Sequence, residues 1–266
     1  MRKILYAGFS RVKSLIILVF ILFLYSELNA QIYVVQYMKV KDDKYSEYLA
    51  VEKAWMKLHQ KLVDDGNLIR WTLYSKMFSG TNDEYDYITV NVYPDWATYE
   101  KPASEDIINF ANDEMEVEMN STSEVRDLIR QEIYTASVLA ENSILSEIIQ
   151  ISYMKVDHTG FGKYVDLEKK YFKPYFEGLI DAGARNSWGV YQRNTPMGGS
   201  FNFIAVNGFE KLSQPDEVSS ELIDEAWENA KNGVSEDKIL EETYDARETV
   251  HSEYWRRVWT TTEKEE

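Results

Sequence analysis

Proton transfer near neutral pH asks for a histidine, a thiol or a perturbed carboxylate, and this sequence is sparing with the first two. It contains three histidines and no cysteine. Thiol catalysis and zinc–cysteine or iron–sulfur sites are therefore excluded. His59 stands four residues after Trp55 and three before Leu62, on the flank of an apolar stripe. There it is either a packed or solvated ring, or a proton donor, acceptor or haem ligand reaching the end of a cleft. His158 falls in the turn sequence "DHTG", and His251 just ahead of the last strand. No HxH or HExxH spacing occurs, so no transition-metal site is expected. The carboxylates of "DGN" and "DEYD" lack calcium-loop spacing. "GFG" (Gly160 to Gly162) is short of a dinucleotide fingerprint, and Ser/His/Asp chemistry has no nucleophile elbow. These motifs ask for no cofactor.

Aromatic residues are far more plentiful, with 19 tyrosines, 11 phenylalanines and 7 tryptophans. In "YDYITVNVY", alternation separates Tyr85, Tyr87, Thr89, Asn91 and Tyr93 from Asp86, Ile88, Val90 and Val92. A second stretch, "FNFIAVNGF", separates Phe201, Phe203, Ala205, Asn207 and Phe209 from Asn202, Ile204, Val206 and Gly208. Each has an aliphatic face suited to packing beneath helices and an aromatic face with a central asparagine. The aromatic face is expected to line a cavity in which the Asn91 and Asn207 amides supply hydrogen bonds. Candidate ligand-binding residues are Tyr37, Trp55, Trp71, Tyr87 and Asn91, with Tyr153, Tyr171, Trp188, Phe203 and Asn207. Candidate proton-transfer groups beside them are His59, Tyr74 and Tyr191. The alternative is an ordinary aromatic core, solid between two sheets.

These strands belong to a duplicated chain. Tyr37 to Val40 reads "YMKV", and so does Tyr153 to Val156. Tyr48 then matches Tyr164, Glu52 matches Glu168, and Trp55 matches Tyr171. A one-residue insertion, most simply at Pro174, brings Gly66 onto Gly183, Trp71 onto Trp188 and Tyr74 onto Tyr191. His59 then falls opposite Phe176. Farther on, "RDLIRQEIYTASVLA" from Arg126 is weakly echoed by "RETVHSEYWRRVWTT" from Arg247, which sets Arg130 opposite His251. In each copy an apolar β-branched run predicts a strand. From Lys44 to Asp65, apolar residues at Tyr48, Val51, Trp55, Leu58 and Leu62 predict one helical stripe, with Gly66 placed to end it. Two strands around a turn, a polar Glu-rich helix and a closing strand complete a β-α-β-β-α-β order. Pro174 is expected to kink the helix of the second copy, so the two halves need not be equivalent. The acidic stretches Glu114–Glu118 and Glu217–Glu242 are expected to be solvated helix faces.

On the "YMKV" strand, the element order and the spacing of Trp55, His59, Gly66 and Trp71, the chain resembles the dimeric α+β barrel superfamily. That superfamily includes NIPSNAP-like proteins and antibiotic-biosynthesis monooxygenases. The resemblance implies an α+β fold in which two tandem ferredoxin-like repeats, residues 31–146 and 147–266, pair their sheets into a pseudo-twofold barrel. It implies no single function, because this fold hosts oxygenases, haem enzymes, isomerases and plain binders.

Residues 1–30 stand apart from these repeats. Arg2, Lys3, Arg11 and Lys13 precede the apolar run Leu15 to Tyr25, and the small residue Ala30 follows. This pattern predicts a cleaved signal peptide and export to a periplasmic or extracellular space. The run is too short for a stable membrane span. The net charge is −16, and removing a basic leader makes it more negative still, which argues against nucleic acid and anionic lipid as partners. Three functions stay open. The first is an exported protein binding a small apolar or aromatic molecule in the barrel. The second is a cofactor-independent monooxygenase or isomerase in the same cavity, and the third is a structural or interaction module.

Overall fold

The computed structural model describes residues 31–111, 121–196 and 198–262; the proposed signal peptide and the stretch Glu114–Glu118 lie outside these. The first half runs β1 (Ile32–Val40), α1 (Tyr45–Asp64), β2 (Arg70–Lys76), β3 (Tyr87–Tyr93) and β4 (Arg126–Leu139). In the second half β5 (Ile148–Lys155) precedes α2 (Phe161–Leu167), a π-helical turn (Glu168–Phe172) and α3 (Lys173–Asp181). Then come β6 (Ser187–Thr195), β7 (Phe203–Phe209), α4 (Ser220–Lys231), α5 (Glu236–Ala246) and β8 (Glu248–Thr260).

Among the described residues eight strands close into one barrel, in the order β1-β3-β2-β8-β5-β7-β6-β4. Within each half the neighbours follow the ferredoxin-like order, β4-β1-β3-β2 and then β8-β5-β7-β6. Two antiparallel seams, β2 with β8 and β4 with β6, join the halves. Closure leaves no exposed sheet edge. No helix among the described residues is long and apolar enough to cross a membrane.

The duplication is visible in local detail. Gly66 (φ 74°) and Gly183 (φ 80°) both take the left-handed backbone that ends a helix. In each case the glycine N–H and the next N–H reach back to helix carbonyls, Val63 and Leu62 in one half, Ile180 and Leu179 in the other. The extra residue of the second copy is absorbed upstream of Pro174, where the π-helical turn widens the helix. Pro174 then sits in the first turn of α3, where its missing N–H costs no bond.

Three large apolar clusters result. One lies between α1 and the outer face of the first half, around Tyr48, Leu73 and Trp71. A second lies beneath α2, α3 and α5, around Tyr164, Trp188 and Phe203. The third fills the barrel interior, with Val35, Tyr37, Ile88, Ile151, Tyr153, Ile204 and Trp255. This corrects the expected assignment of faces. Ile88, Val90, Ile204 and Val206 point inward, whereas Tyr87, Asn91, Phe203 and Asn207 lie on the helix-facing side. The rings of the interior come instead from other positions, Tyr37, Tyr74, Tyr134, Tyr153 and Trp255 among them, and β3 and β7 supply compact branched side chains between these. Alternation separates two faces but cannot rank them when both are buried.

A buried carboxylate pins each helix to its sheet. Glu52 on α1 receives Arg126 Nε at 2.8 Å. The matching pair, Glu168 and Arg247, stands off at 3.9 Å, and the buried Arg247 Nε and Tyr164 hydroxyl have no hydrogen-bond partner among the described residues. The widened turn begins at Glu168, which accounts for the looser fit. Burial pushes the Glu168 carboxyl up to about 7, against the pull of Arg247.

Candidate functional site

The barrel interior is not filled to its end. A cavity of about 530 Å³ is walled by Val35, Val90, Ile149, Ile151, Ile204 and Val206, and it is bordered by Tyr33, Tyr74, Tyr191 and Arg70. Its size falls within the range of small-molecule sites. Tyr33 and Tyr191, from opposite halves, meet edge to face with ring centroids 4.8 Å apart. Burial raises the phenols of Tyr33, Tyr74 and Tyr191 above their ordinary range. At neutral pH they are hydrogen-bonding hydroxyls rather than bases.

The duplication is broken here. Where the first half has Arg70, Thr72 and Val92, the second has Ser187, Gly189 and Gly208. These small residues admit the chain that links the halves. Ser146 Oγ lies 2.9 Å from Ser187 Oγ, and a Cβ on Gly208 would meet both hydroxyls at 2.0 Å. A Cβ on Gly189 would come within 2.8 Å of Leu139. Ile144 and Leu145 of the same link line the cavity and are exposed to solvent at its rim.

At the other end the barrel is sealed by charge. Glu132 on β4, 2% exposed, accepts hydrogen bonds from Tyr37 (2.8 Å), Tyr134 (2.6 Å) and Arg193 (3.2 Å). Its counterpart Glu253 on β8 accepts from Tyr85, Tyr153 (3.3 Å) and Trp255 Nε1 (3.3 Å), and pairs with Lys76 at 3.1 Å. Arg130 covers the Tyr37 ring at 3.9 Å, and His251 stacks on Tyr153 at 4.1 Å. Lys76 lies opposite Arg193 in the internal alignment, and each cation reaches the carboxylate of the other half. These ion pairs therefore span the two seams. Tyr37, Tyr134 and Trp255 present ring surface to the cavity while their polar ends are committed to carboxylates.

The candidate residues divide accordingly. Tyr37, Tyr74, Tyr153 and Tyr191 face the barrel interior, and Trp188 touches both its rim and the helix layer. Trp55, Trp71, Tyr87, Asn91, Tyr171, Phe203 and Asn207 belong to the helix-facing layers, outside the cavity. Asn91 Nδ2 donates to the Val34 carbonyl at 3.5 Å, and Asn207 Oδ1 accepts from Arg185 at 2.7 Å, so protein groups engage both amides. His59 is also excluded from the cavity. It stacks on Trp71 at 5.3 Å and 16°, and Nδ1 bonds the Trp55 carbonyl oxygen at 2.7 Å. The residue is half-buried, and desolvation lowers its pKa to about 4. Phe176 makes the same stack on Trp188, at 4.8 Å and 17°. The position therefore wants a flat ring. Glu132, Glu253, Lys76, Arg193 and Arg70 were not singled out by motif. The internal alignment pairs Glu132 with Glu253 and Lys76 with Arg193, and that was the available signal.

With the geometry in place, the chain can be set beside known proteins. No family matches it in sequence, and no curated protein does. Among solved structures, a candidate monooxygenase from Lactobacillus acidophilus is similar at 10% identity and a TM-score of 0.55, covering 88% of this chain and 97% of the other. Another, from Fusobacterium nucleatum, is similar at 10% identity and a TM-score of 0.56, covering 89% and 96%. The shared fold is an α+β barrel built from two ferredoxin-like sheets. At this identity the likeness concerns architecture alone, and both barrel halves are supplied here by one chain.

Proposed function

We propose that this is an exported protein that binds a small, largely apolar or aromatic molecule inside the barrel. The observation that carries the proposal is the cavity itself, walled by aliphatic side chains and sealed at its far end by paired charges. Such a space excludes water from a ligand's body and leaves hydroxyls at one rim for orientation. The similar structures are named as candidate monooxygenases, which keeps an oxygenase in view. The tyrosines at the cavity remain protonated at neutral pH, and His59 lies elsewhere, so binding is the simpler use of these residues.

The test is a blocked cavity. Val206→Trp places an indole in the space, and Asn91→Leu alters the helix-facing layer instead. Titration with a naphthalene-based fluorescent probe should show binding to the wild type and to Asn91→Leu, and none to a Val206→Trp protein whose circular dichroism is native. Undiminished binding to Val206→Trp would contradict the proposal.

A further inference from the structure

We infer that the link between the two repeats, residues 140–147, is the lid of the cavity, and that Ile144 and Leu145 fold over a bound molecule. The inference rests on the cavity being the ligand site. Apart from Ala140, Ser143, Ile144, Leu145 and Ser146, every residue lining the cavity belongs to a barrel strand. Each strand is paired on both sides, so the wall cannot open without breaking ladder hydrogen bonds. The far end is closed by the ion pairs of Glu132 and Glu253. The mouth beneath the link is therefore the way in, and the link is the piece of the wall that can move without cost to the sheet.

The link contains no helix or strand, and it is fastened most firmly at its two ends. At one end Asn142 Nδ2 donates to the Glu177 carbonyl (3.1 Å) and to Asp181 (2.6 Å), both on α3. At the other, Glu147 pairs with Arg257 at 2.7 Å. Between them the Ile144 N–H donates to the Asn186 carbonyl at 2.8 Å, Ser146 Oγ meets Ser187 Oγ, and the Ser143 hydroxyl accepts from the Trp188 N–H at 3.4 Å. Ile144 is 64% exposed and Leu145 37%. Two large aliphatic side chains held open at the mouth of an apolar cavity gain burial by turning onto an apolar ligand, and the ligand gains an enclosed site. The repeat shows that the lid is single. The Ala140 N–H donates to the Trp188 carbonyl at 3.1 Å and the Thr261 N–H to the Trp71 carbonyl at 3.0 Å, so β4 and β8 end alike. Thr262 then bonds Gln60 on α1, whereas the chain beyond Ala140 crosses the mouth, over Gly189 and Gly208.

The probe is prodan, a neutral naphthalene-based fluorophore. Amide hydrogen exchange of the wild type should show residues 140–147 exchanging about fivefold or more slowly with saturating prodan than without it, because a closed segment opens less often. In stopped-flow fluorescence prodan should leave the Ile144→Ser/Leu145→Ser double variant about tenfold faster than the wild type, with association changed much less, since loss of cover acts on release. Leu212→Ser removes another aliphatic side chain, 43% exposed and outside the cavity lining, and should release at the wild-type rate. An unchanged release rate in the double variant, or an equal acceleration in Leu212→Ser, would overturn the inference and leave the cavity proposal standing. So would link amides that exchange as fast with prodan as without it. Failure of prodan to bind the folded wild type would remove the cavity proposal and this inference together. The wild-type exchange decides the question even where a variant fails to fold.

Discussion

Two buried groups should tilt the stability of this protein in opposite directions as pH changes, and removing either should expose the other. Glu168 is raised from 4.5 to about 7 by burial. Between these values the unfolded chain has released its proton and the folded chain has not, so stability falls as pH rises through this window. The shift corresponds to about 3 kcal/mol, present in full below the unfolded value and lost above the folded one. His59 is lowered from 6.5 to about 4 by desolvation. In that window the unfolded chain binds the extra proton, so stability rises with pH, again by about 3 kcal/mol. The windows overlap, so the contributions of these two groups should offset one another there. Glu168→Gln should make stability climb from pH 4 to 6.5, because the opposing contribution of Glu168 is gone and that of His59 remains. His59→Phe should do the reverse, losing stability from pH 4.5 to 7. Urea unfolding at half-unit pH steps measures this, and thermal melts should move by about 2–4 °C per kcal/mol. Variant profiles that run parallel to the wild type would refute the reasoning for both residues.

Other outcomes follow from the same geometry. His59→Phe reproduces the Phe176–Trp188 stack in the first half, so at pH 8 it should cost less than about 1.5 kcal/mol and leave binding of the naphthalene-based probe unchanged; loss of binding would return His59 to the site. Arg193→Met leaves Glu132 buried without the cation from the other half and should cost about 3–5 kcal/mol in chemical denaturation. A cost near zero would mean that the seam ion pairs do not fasten the barrel. Export through a cleaved leader predicts Gln31 as the first residue of protein taken from the native envelope, and an intact mass that includes Met1 to Ala30 would contradict it.

Much of the architecture could be read from the residues because the chain states it twice. The "YMKV" strands, the paired helix-ending glycines and the matched tryptophans each specify local structure, and their repetition specifies two similar sheets. Which face of β3 and β7 turns inward could not be read in this way. Both faces are buried, so period-two alternation carries no sign: Tyr87 and Phe203 lie beneath the helices, and Ile88 and Ile204 face the interior. The repeat pairs Tyr74 with Tyr191, and closure of the barrel brings both to the cavity. Arg70 could not be read as a lining residue, since an arginine at the start of a strand usually means solvent, and only closure of the barrel brings it to the cavity. The carboxylates Glu132 and Glu253 were hidden in the weakest stretch of the repeat. Their importance appears only when β4 and β8 are seen to form the seams.

The claim on which the rest depends is that the barrel interior holds a ligand. A crystal structure of the protein purified from its own cells tests it most directly. Density for a small molecule between Val206, Tyr33 and Tyr191 is the expected result. Density instead beneath α1, beside His59 and Asn91, or a barrel whose side chains close on one another without a space, would contradict it.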